Sequence, residues 1–193
     1  DLPGPFMQAG ETIGGISGLG IVTGVGKSGH IGVKIAATLA STGTPAFFMH
    51  AAEANHGDLG MVGLGDAVLA LSKGGESAEL RNVIAYTRRF SIPLISMTCS
   101  PDSSLGKASD VVLLMPNVEE ACPHGLAPTT STMMQLAMGD ALAIALLEAR
   151  GFTARDFHVF HPGGKLGAAL SHVADVMHTG ERVPLVAKGT PLP

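Results

Sequence analysis

The 193 residues carry 12 Lys and Arg against 16 Asp and Glu, a formal charge of −4, which leaves no basic footprint for a phosphate backbone and sets nucleic acid aside as a partner. The length suits one domain with a single large core, and although 46% of the residues are apolar, no run of about eighteen uninterrupted apolar residues offers a membrane span. No N-terminal stretch joins a basic flank, an apolar centre and a small-residue cleavage site, so the expectation is a soluble, cytoplasmic chain without a membrane partner.

Asp1 to Gly18 is Gly-rich, with one weakly amphipathic stretch from Phe6 to Ile16. From Leu19 onward a short apolar run, a Gly- or Ser-rich turn and a helically spaced segment alternate, which is the pattern of βα units. Ile21 to Val25 predicts the first strand, and Ile31, Val33, Ile35, Ala36 and Leu39 are expected to line the helix after it. Further strands are predicted at Pro45 to Met49, Ala67 to Leu71, Pro93 to Met97 and Val111 to Met115. None alternates with polar residues, so each is expected to be buried on both faces. Helices fit at Glu79 to Phe90, around Ser103 to Ala108, and from Ser131 to Arg150, where Gly151 stops the last. The simplest assembly is an α/β fold, a five-stranded parallel sheet flanked by helices, doubly wound and flavodoxin-like. Residues 1–172 are assigned to that domain, and 173–193, with Pro184, Pro191 and Pro193, to a linker. The helix from Ser131 to Arg150 is apolar on nearly every face, which one domain covers only in part, so a homo-oligomer is expected.

In an open parallel sheet, ligands bind beyond the carboxyl ends of the strands. Three of the turns there carry phosphate-binding ingredients. Gly24 to Gly29 combines free backbone N–H groups with Lys27 and Ser28 at a helix start. Ser72 to Ser77 repeats the recipe, and Thr129 to Thr132 places four hydroxyls at the entrance to the long helix, where N-capping is the ordinary alternative. A nucleotide P-loop is set aside because Ile21 stands where its first Gly belongs. The glycines of a dinucleotide loop are present as Gly24, Gly26 and Gly29, but no acidic residue closes the next strand near Met49. Cys99 and Cys122 form neither a C-x-x-C pair nor a zinc spacing.

Eight blocks in unbroken order carry a resemblance: Gly26 to Gly32, Ala40 to Pro45, His56 to Met61, Gly75 to Ser77, Glu120 to Pro123, Leu126 to Thr129, Met138 to Leu142 and His161 to Gly164. Together they resemble the arabinose 5-phosphate isomerases, which have the SIS (sugar isomerase) fold. The resemblance implies interconversion of D-arabinose 5-phosphate and D-ribulose 5-phosphate through an enediol, at the start of Kdo synthesis for lipopolysaccharide. Val176 to Gly180 is similar to the point where such chains pass into a pair of CBS domains.

Lys27, Glu79, Glu120 and His161 match the catalytic positions of that family. Substrate-binding positions carried over with them are Ser28, Ser72, Ser77 and Thr129, together with Gly43, Thr44, His50 and His56. An enediol needs a base between C1 and C2, a group that opens the ring and positive charge near the enediolate oxygen. From chemistry alone Glu120 is preferred as proton carrier, because a carboxylate in a mostly apolar turn has its pKa lifted; Glu79 is its rival, and the sequence does not separate them. Histidine suits ring opening. The resemblance also associates His50 with zinc, expected as an inhibitor or incidental ligand, and no cofactor is required. It further implies a homotetramer or other homo-oligomer that shares a histidine, His161, between subunits. One departure stands out: family loops read Ser-x-Ser-Gly-Glu-Ser, whereas here the intervening residue is Lys73 and the second serine is Gly74, so the Lys73 ammonium is expected to help replace the lost phosphate hydroxyl. The alternatives are another SIS isomerase, acting on a hexulose or heptose phosphate, and a non-catalytic sugar-phosphate sensor.

Overall fold

Five strands form one parallel sheet in the computed structural model, which describes residues 3–161, 163 and 173–190. They are β1 (Gly20–Gly24), β2 (Ala46–His50), β3 (Ala67–Leu71), β4 (Leu94–Thr98) and β5 (Val111–Leu114), in the order β2-β1-β3-β4-β5. The helices of this part are α1 (Pro3–Gly15), α2 (Gly26–Ser41), α3 (Ala51–Ala54), α4 (Leu80–Phe90), α5 (Ser104–Ala108) and α6 (Thr130–Ala149). The doubly wound, flavodoxin-like expectation matches this order, and each strand falls within a residue or so of its expected bounds.

Alternation along the strands explains why they read as unbroken apolar runs. Val22, Leu69, Leu71, Ile95, Met97 and Leu113 face α1, α2 and α6. Their neighbours Ile21, Val68, Ala70 and Leu94 point the other way, toward α3, α4 and α5. The central strands β1, β3 and β4 are buried at every position, where each buried Leu or Ile contributes about 1.5–3 kcal/mol. The edge strands β2 and β5, expected to be buried on both faces, are covered only in part because each lacks a neighbouring strand on one side, and Leu114 is 45% exposed. On α2 the inward positions are Gly29, Gly32, Ile35, Ala36 and Leu39. Val33, expected among them, is 48% exposed, because it lies off that stripe.

Helix α6 runs beside α2. Lys34 pairs with Asp140 near the middle, and Arg150 Nε donates to Thr44 Oγ1 at 3.2 Å past the end of α2. Both pairs are 106 residues apart in the chain, so the two helices advance in step and in the same direction. By length and mean hydropathy Thr130–Ala149 resembles a membrane span, although Gln135, Asp140 and Glu148 interrupt its apolar residues, as expected of a chain without a long uninterrupted apolar run. It lies here along α1 and α2 and turns Ser131, Gln135, Gly139, Leu142, Ala143 and Leu146 inward, while Met133 and Ile144 remain 65% and 49% exposed.

Residues 1–152 make up one compact unit and 153–193 a second. In the second, Thr153 and Asp156 form a reciprocal capping box at the start of α7 (Ala154–Phe160). The described part of 173–190 holds the short helix α8 (Val173–Val176) and a 3-10 turn at Gly180–Arg182, with Leu185 and Val186 at least 80% exposed. The expected boundary between 172 and 173 falls at the edge of the described residues.

Candidate functional site

The order β2-β1-β3 creates a switch point, since the chain leaves β1 toward one edge and β3 toward the other. Gly24 lies level with His50 on one side and with Leu71 on the other. The turn after β1, the end of β2 and the turn after β3 therefore open side by side at the carboxyl end of the sheet. Gly26 begins α2 at φ +55°, a left-handed conformation that favours glycine. Val25 offers no side-chain cap, so the first N–H groups of α2 point outward without a capping partner. Lys27 is exposed and Ser28 half-buried on this first turn.

After β3 the chain folds back on itself. The buried Ser72 Oγ accepts the Gly75 N–H at 3.1 Å and lies 3.1 Å from Ser77 Oγ. Gly75 has φ +69°, and a Cβ there would stand 1.9 Å from Ser103 Oγ, so glycine is required for both conformation and space. Glu76 reaches away from this turn to the Ser104 N–H (2.6 Å) and hydroxyl (2.7 Å), which hold its carboxyl below its ordinary range. Glu79 lies at the entrance to α4, half-buried and without a side-chain capping bond.

Glu120 reaches this end from the loop between β5 and α6. Its side chain is 4% exposed and accepts five hydrogen bonds. Lys73 Nζ (2.7 Å) and Ser131 Oγ (2.6 Å) donate to Oε1. The N–H groups of Thr129 (2.8 Å) and Ser131 (3.1 Å) and the Thr129 hydroxyl (3.3 Å) donate to Oε2. The Lys73 ammonium first, then the Ser131 hydroxyl and the Thr129 N–H, hold the carboxyl well below the usual carboxylate range, against a smaller upward push from burial. This reverses the expectation of a raised pKa: the turn is apolar in its neighbouring residues, but the carboxylate faces an ammonium and a helix N-terminus. The Lys73 ammonium, expected to help replace the lost phosphate hydroxyl, is here bonded to Glu120. Thr129 precedes α6 without a side-chain capping bond, and Glu120 caps that helix in its place.

A polar cavity of about 470 Å³ opens between Lys73 and the loop from Asn117 to Gly125. A larger one, about 550 Å³, lies beside the edge strand β5, lined by Pro5, Cys99, Leu114 and Pro116 among others, and is mostly apolar. Cys122 borders the polar cavity, its thiol held below the ordinary range by the backbone N–H groups of Ala127, His124, Leu126 and Gly125. Burial pushes the Cys99 thiol up.

The remaining expected residues divide. His50 ends β2 and its Nδ1 accepts the Ala52 N–H at 3.2 Å, which in the neutral ring puts the proton on Nε2. His56 is exposed just beyond α3. No group of three His, Cys, Asp or Glu side chains able to hold a metal occurs among the described residues. Gly43 and Thr44 are placed at the opposite, amino end of the sheet, about 15 Å away along β2. Thr44 is 1% exposed and accepts from Arg150, and Gly43 turns the chain at φ +90° against Phe152; within this unit they shape the entry to β2 and do not join the other site residues. His161 belongs to the second unit, where its ring stacks on Phe157 with centroids 3.9 Å apart and Nδ1 lies 2.9 Å from the Phe157 carbonyl. Pro162 and Gly164 of its turn lie outside the described residues. What the sequence concealed was the Lys73–Glu120 bond; a cation in the β3 loop and an acid just before a helix start were the only signals for it.

Residues 21–145 match the family model described as SIS domain. A Yersinia pestis protein named arabinose 5-phosphate isomerase KdsD is 56% identical over 183 residues, 94% of this chain and 56% of its own length. The Pseudomonas aeruginosa protein of the same name is 56% identical over 188 residues, 97% of this chain and 58% of its own. The chain thus spans a little over half the length of these relatives. An Escherichia coli CFT073 protein solved in complex with A5P superposes with a TM-score of 0.79 at 44% identity, covering 81% of this chain and 84% of that one.

Proposed function

We propose that this chain, which belongs to the SIS domain family, interconverts D-arabinose 5-phosphate and D-ribulose 5-phosphate through an enediol. The observation that carries the reading is the 56% identity to proteins named arabinose 5-phosphate isomerase across nearly the whole chain. The site geometry supports it. A phosphate monoester fits the carboxyl end of the sheet, where the uncapped start of α2 with Lys27 and Ser28 adjoins the Ser72–Ser77 turn. Two carboxylates, Glu79 and Glu120, stand at the same end to move the proton between C1 and C2. Lys27 supplies positive charge for the enediolate oxygen, and His50 and His56 are placed for the sugar hydroxyls. His161, from a neighbouring copy, opens the ring. A cytoplasmic homo-oligomer, needing no cofactor and feeding Kdo synthesis, completes the proposal. Incubating the chain with ribulose 5-phosphate and detecting arabinose 5-phosphate tests it; no turnover with this substrate, alongside turnover of a hexulose or heptose phosphate, would transfer the activity to another substrate of the family.

A further inference from the structure

The side chains of the β3 turn that could meet a phosphate already have partners inside the chain. Ser72 holds Gly75 and Ser77, and Lys73 holds Glu120. A phosphate that recruits these side chains therefore has to exchange one set of bonds for another. The Ser72 hydroxyl is buried, whereas the Lys73 side chain is 38% exposed and sits on a flexible four-carbon stem, so its ammonium is the group that turns at least cost. Glu120 is the other end of that bond, and it keeps four donors from Thr129 and Ser131 when Lys73 leaves.

We propose that Lys73 is a phosphate-responsive positioning residue: without substrate its ammonium holds the Glu120 carboxylate, and a phosphate monoester bound at the Ser72–Ser77 turn draws it away, leaving Glu120 free to accept a proton. The inference rests on the sugar-phosphate reading of this site. It gives Lys73 a function in a loop where Gly74 stands in place of the family's second serine. A permanently paired carboxylate is a poor base, and one that loses its cation while keeping its four donors stays in place and becomes a better one. Coupling the two confines the basic carboxylate to the occupied site. The exchange works in one direction, since the phosphate removes a cation from Glu120 and adds negative charge nearby, and both favour the protonated acid. The other titratable groups around Glu120 are Cys99 at the end of β4, and Glu119 and Cys122 on its own loop. The thiols are neutral at acidic pH, and Glu119 stays on the loop in both states, so neither reproduces a phosphate-dependent change that needs Lys73.

The test is the side-chain carboxyl carbon resonance of Glu120 in chain labelled with ¹³C-glutamate, assigned by its loss in Glu120→Gln and titrated against pH with inorganic phosphate or with chloride at equal ionic strength. The expected result is a phosphate-dependent upward shift of the Glu120 midpoint by about one to three pH units, absent in Lys73→Met and restored in Lys73→Arg. In Lys73→Met the midpoint is already raised in chloride. Phosphate that fails to bind, that leaves the midpoint unchanged, or that shifts it equally in Lys73→Met would overturn the proposal. These outcomes involve no turnover, so they are separate from failure of the isomerase reading, which the ribulose 5-phosphate assay detects by itself.

Discussion

Gly139 on α6 faces Ile35 on α2 so closely that a Cβ on the glycine would stand 2.3 Å from Ile35 Cδ1 and 2.4 Å from Cγ1. Ile35 is fully buried and β-branched, with little freedom to turn aside. Two effects oppose each other in Gly139→Ala: helix propensity gains about 1 kcal/mol, and overpacking costs about 1–3 kcal/mol. The overpacking should win, so chemical denaturation should show a net loss. In an Ile35→Ala background, which deletes Cδ1 and both Cγ atoms, the same substitution should cost less or become stabilising. An equal loss in both backgrounds would show that the contact does not set the helix spacing.

Glu79→Gln and Glu120→Gln should each leave the fold intact and reduce turnover, with the larger fall, about a hundred- to ten-thousand-fold, at the residue that carries the proton. The amide at position 120 keeps an oxygen for the Thr129 and Ser131 N–H groups and loses the charge that Lys73 pairs with. Near wild-type kcat in both variants would remove the two carboxylates from the chemistry.

Phosphate binding divides between groups by burial. Ser77→Ala and Ser72→Ala should chiefly raise KM, because a spectator phosphate is held alike in ground and transition states. Ser72→Ala carries a second penalty that Ser77→Ala lacks. It strips the buried Gly75 N–H of its acceptor, at about 1–3 kcal/mol, so its melting temperature should fall as well. Lys27→Met should lower kcat in addition; an effect on KM alone would make Lys27 a binding group only.

Acid should unfold the chain in part through Asp110. Burial raises its carboxyl, but the Arg88 guanidinium at 2.5 Å and the Leu94 N–H at 2.8 Å outweigh it and leave the pKa lowered. A folded-state pKa below the unfolded value of about 3.9 contributes stability above that value and loses it as pH falls through the folded pKa. Glu76 and Glu120 act with the same sign. Asp110→Asn should therefore be less stable at pH 6 and show a flatter decline below about pH 4. A decline as steep as wild type would assign the acid sensitivity to other carboxyls.

The sheet was legible in the sequence because its determinants are local. Runs such as Ala67–Leu71 sit between helices on both sides, so every residue of that run is apolar and it ends at Ser72. The state of Glu120 was not legible, because its neighbours in sequence suggest an apolar turn while its partners are Lys73, 47 residues away, and Ser131, 11 residues on. Gly43 and Thr44 stand apart from the other expected residues for a related reason. A turn rich in Gly and Thr serves a ligand at one end of a sheet and chain reversal at the other, and the end is decided by where α2 finishes.

The last prediction concerns assembly. On α6, Met133 and Ile144 stand 65% and 49% exposed, and Leu126 in the loop before it is 82% exposed, although the helix as a whole is apolar enough to span a membrane. Scattered apolar residues on a surface are ordinary, but here two of them lie on a helix whose inward face is already filled by Gln135, Gly139, Leu142 and Leu146. A second copy of the chain is the cover we expect, with His161 of that copy completing the site. Glu120→Gln and His161→Ala chains, each inactive alone, should then regain part of the activity when unfolded and refolded together, since a mixed assembly holds some sites with neither substitution. For two-subunit sites mixed at random, about a quarter of the sites pair an intact Glu120 with an intact His161, so recovery should approach that fraction. Hybrids that assemble but stay inactive, or sedimentation of an active monomer, would confine each site to one chain and leave the isomerase reading standing.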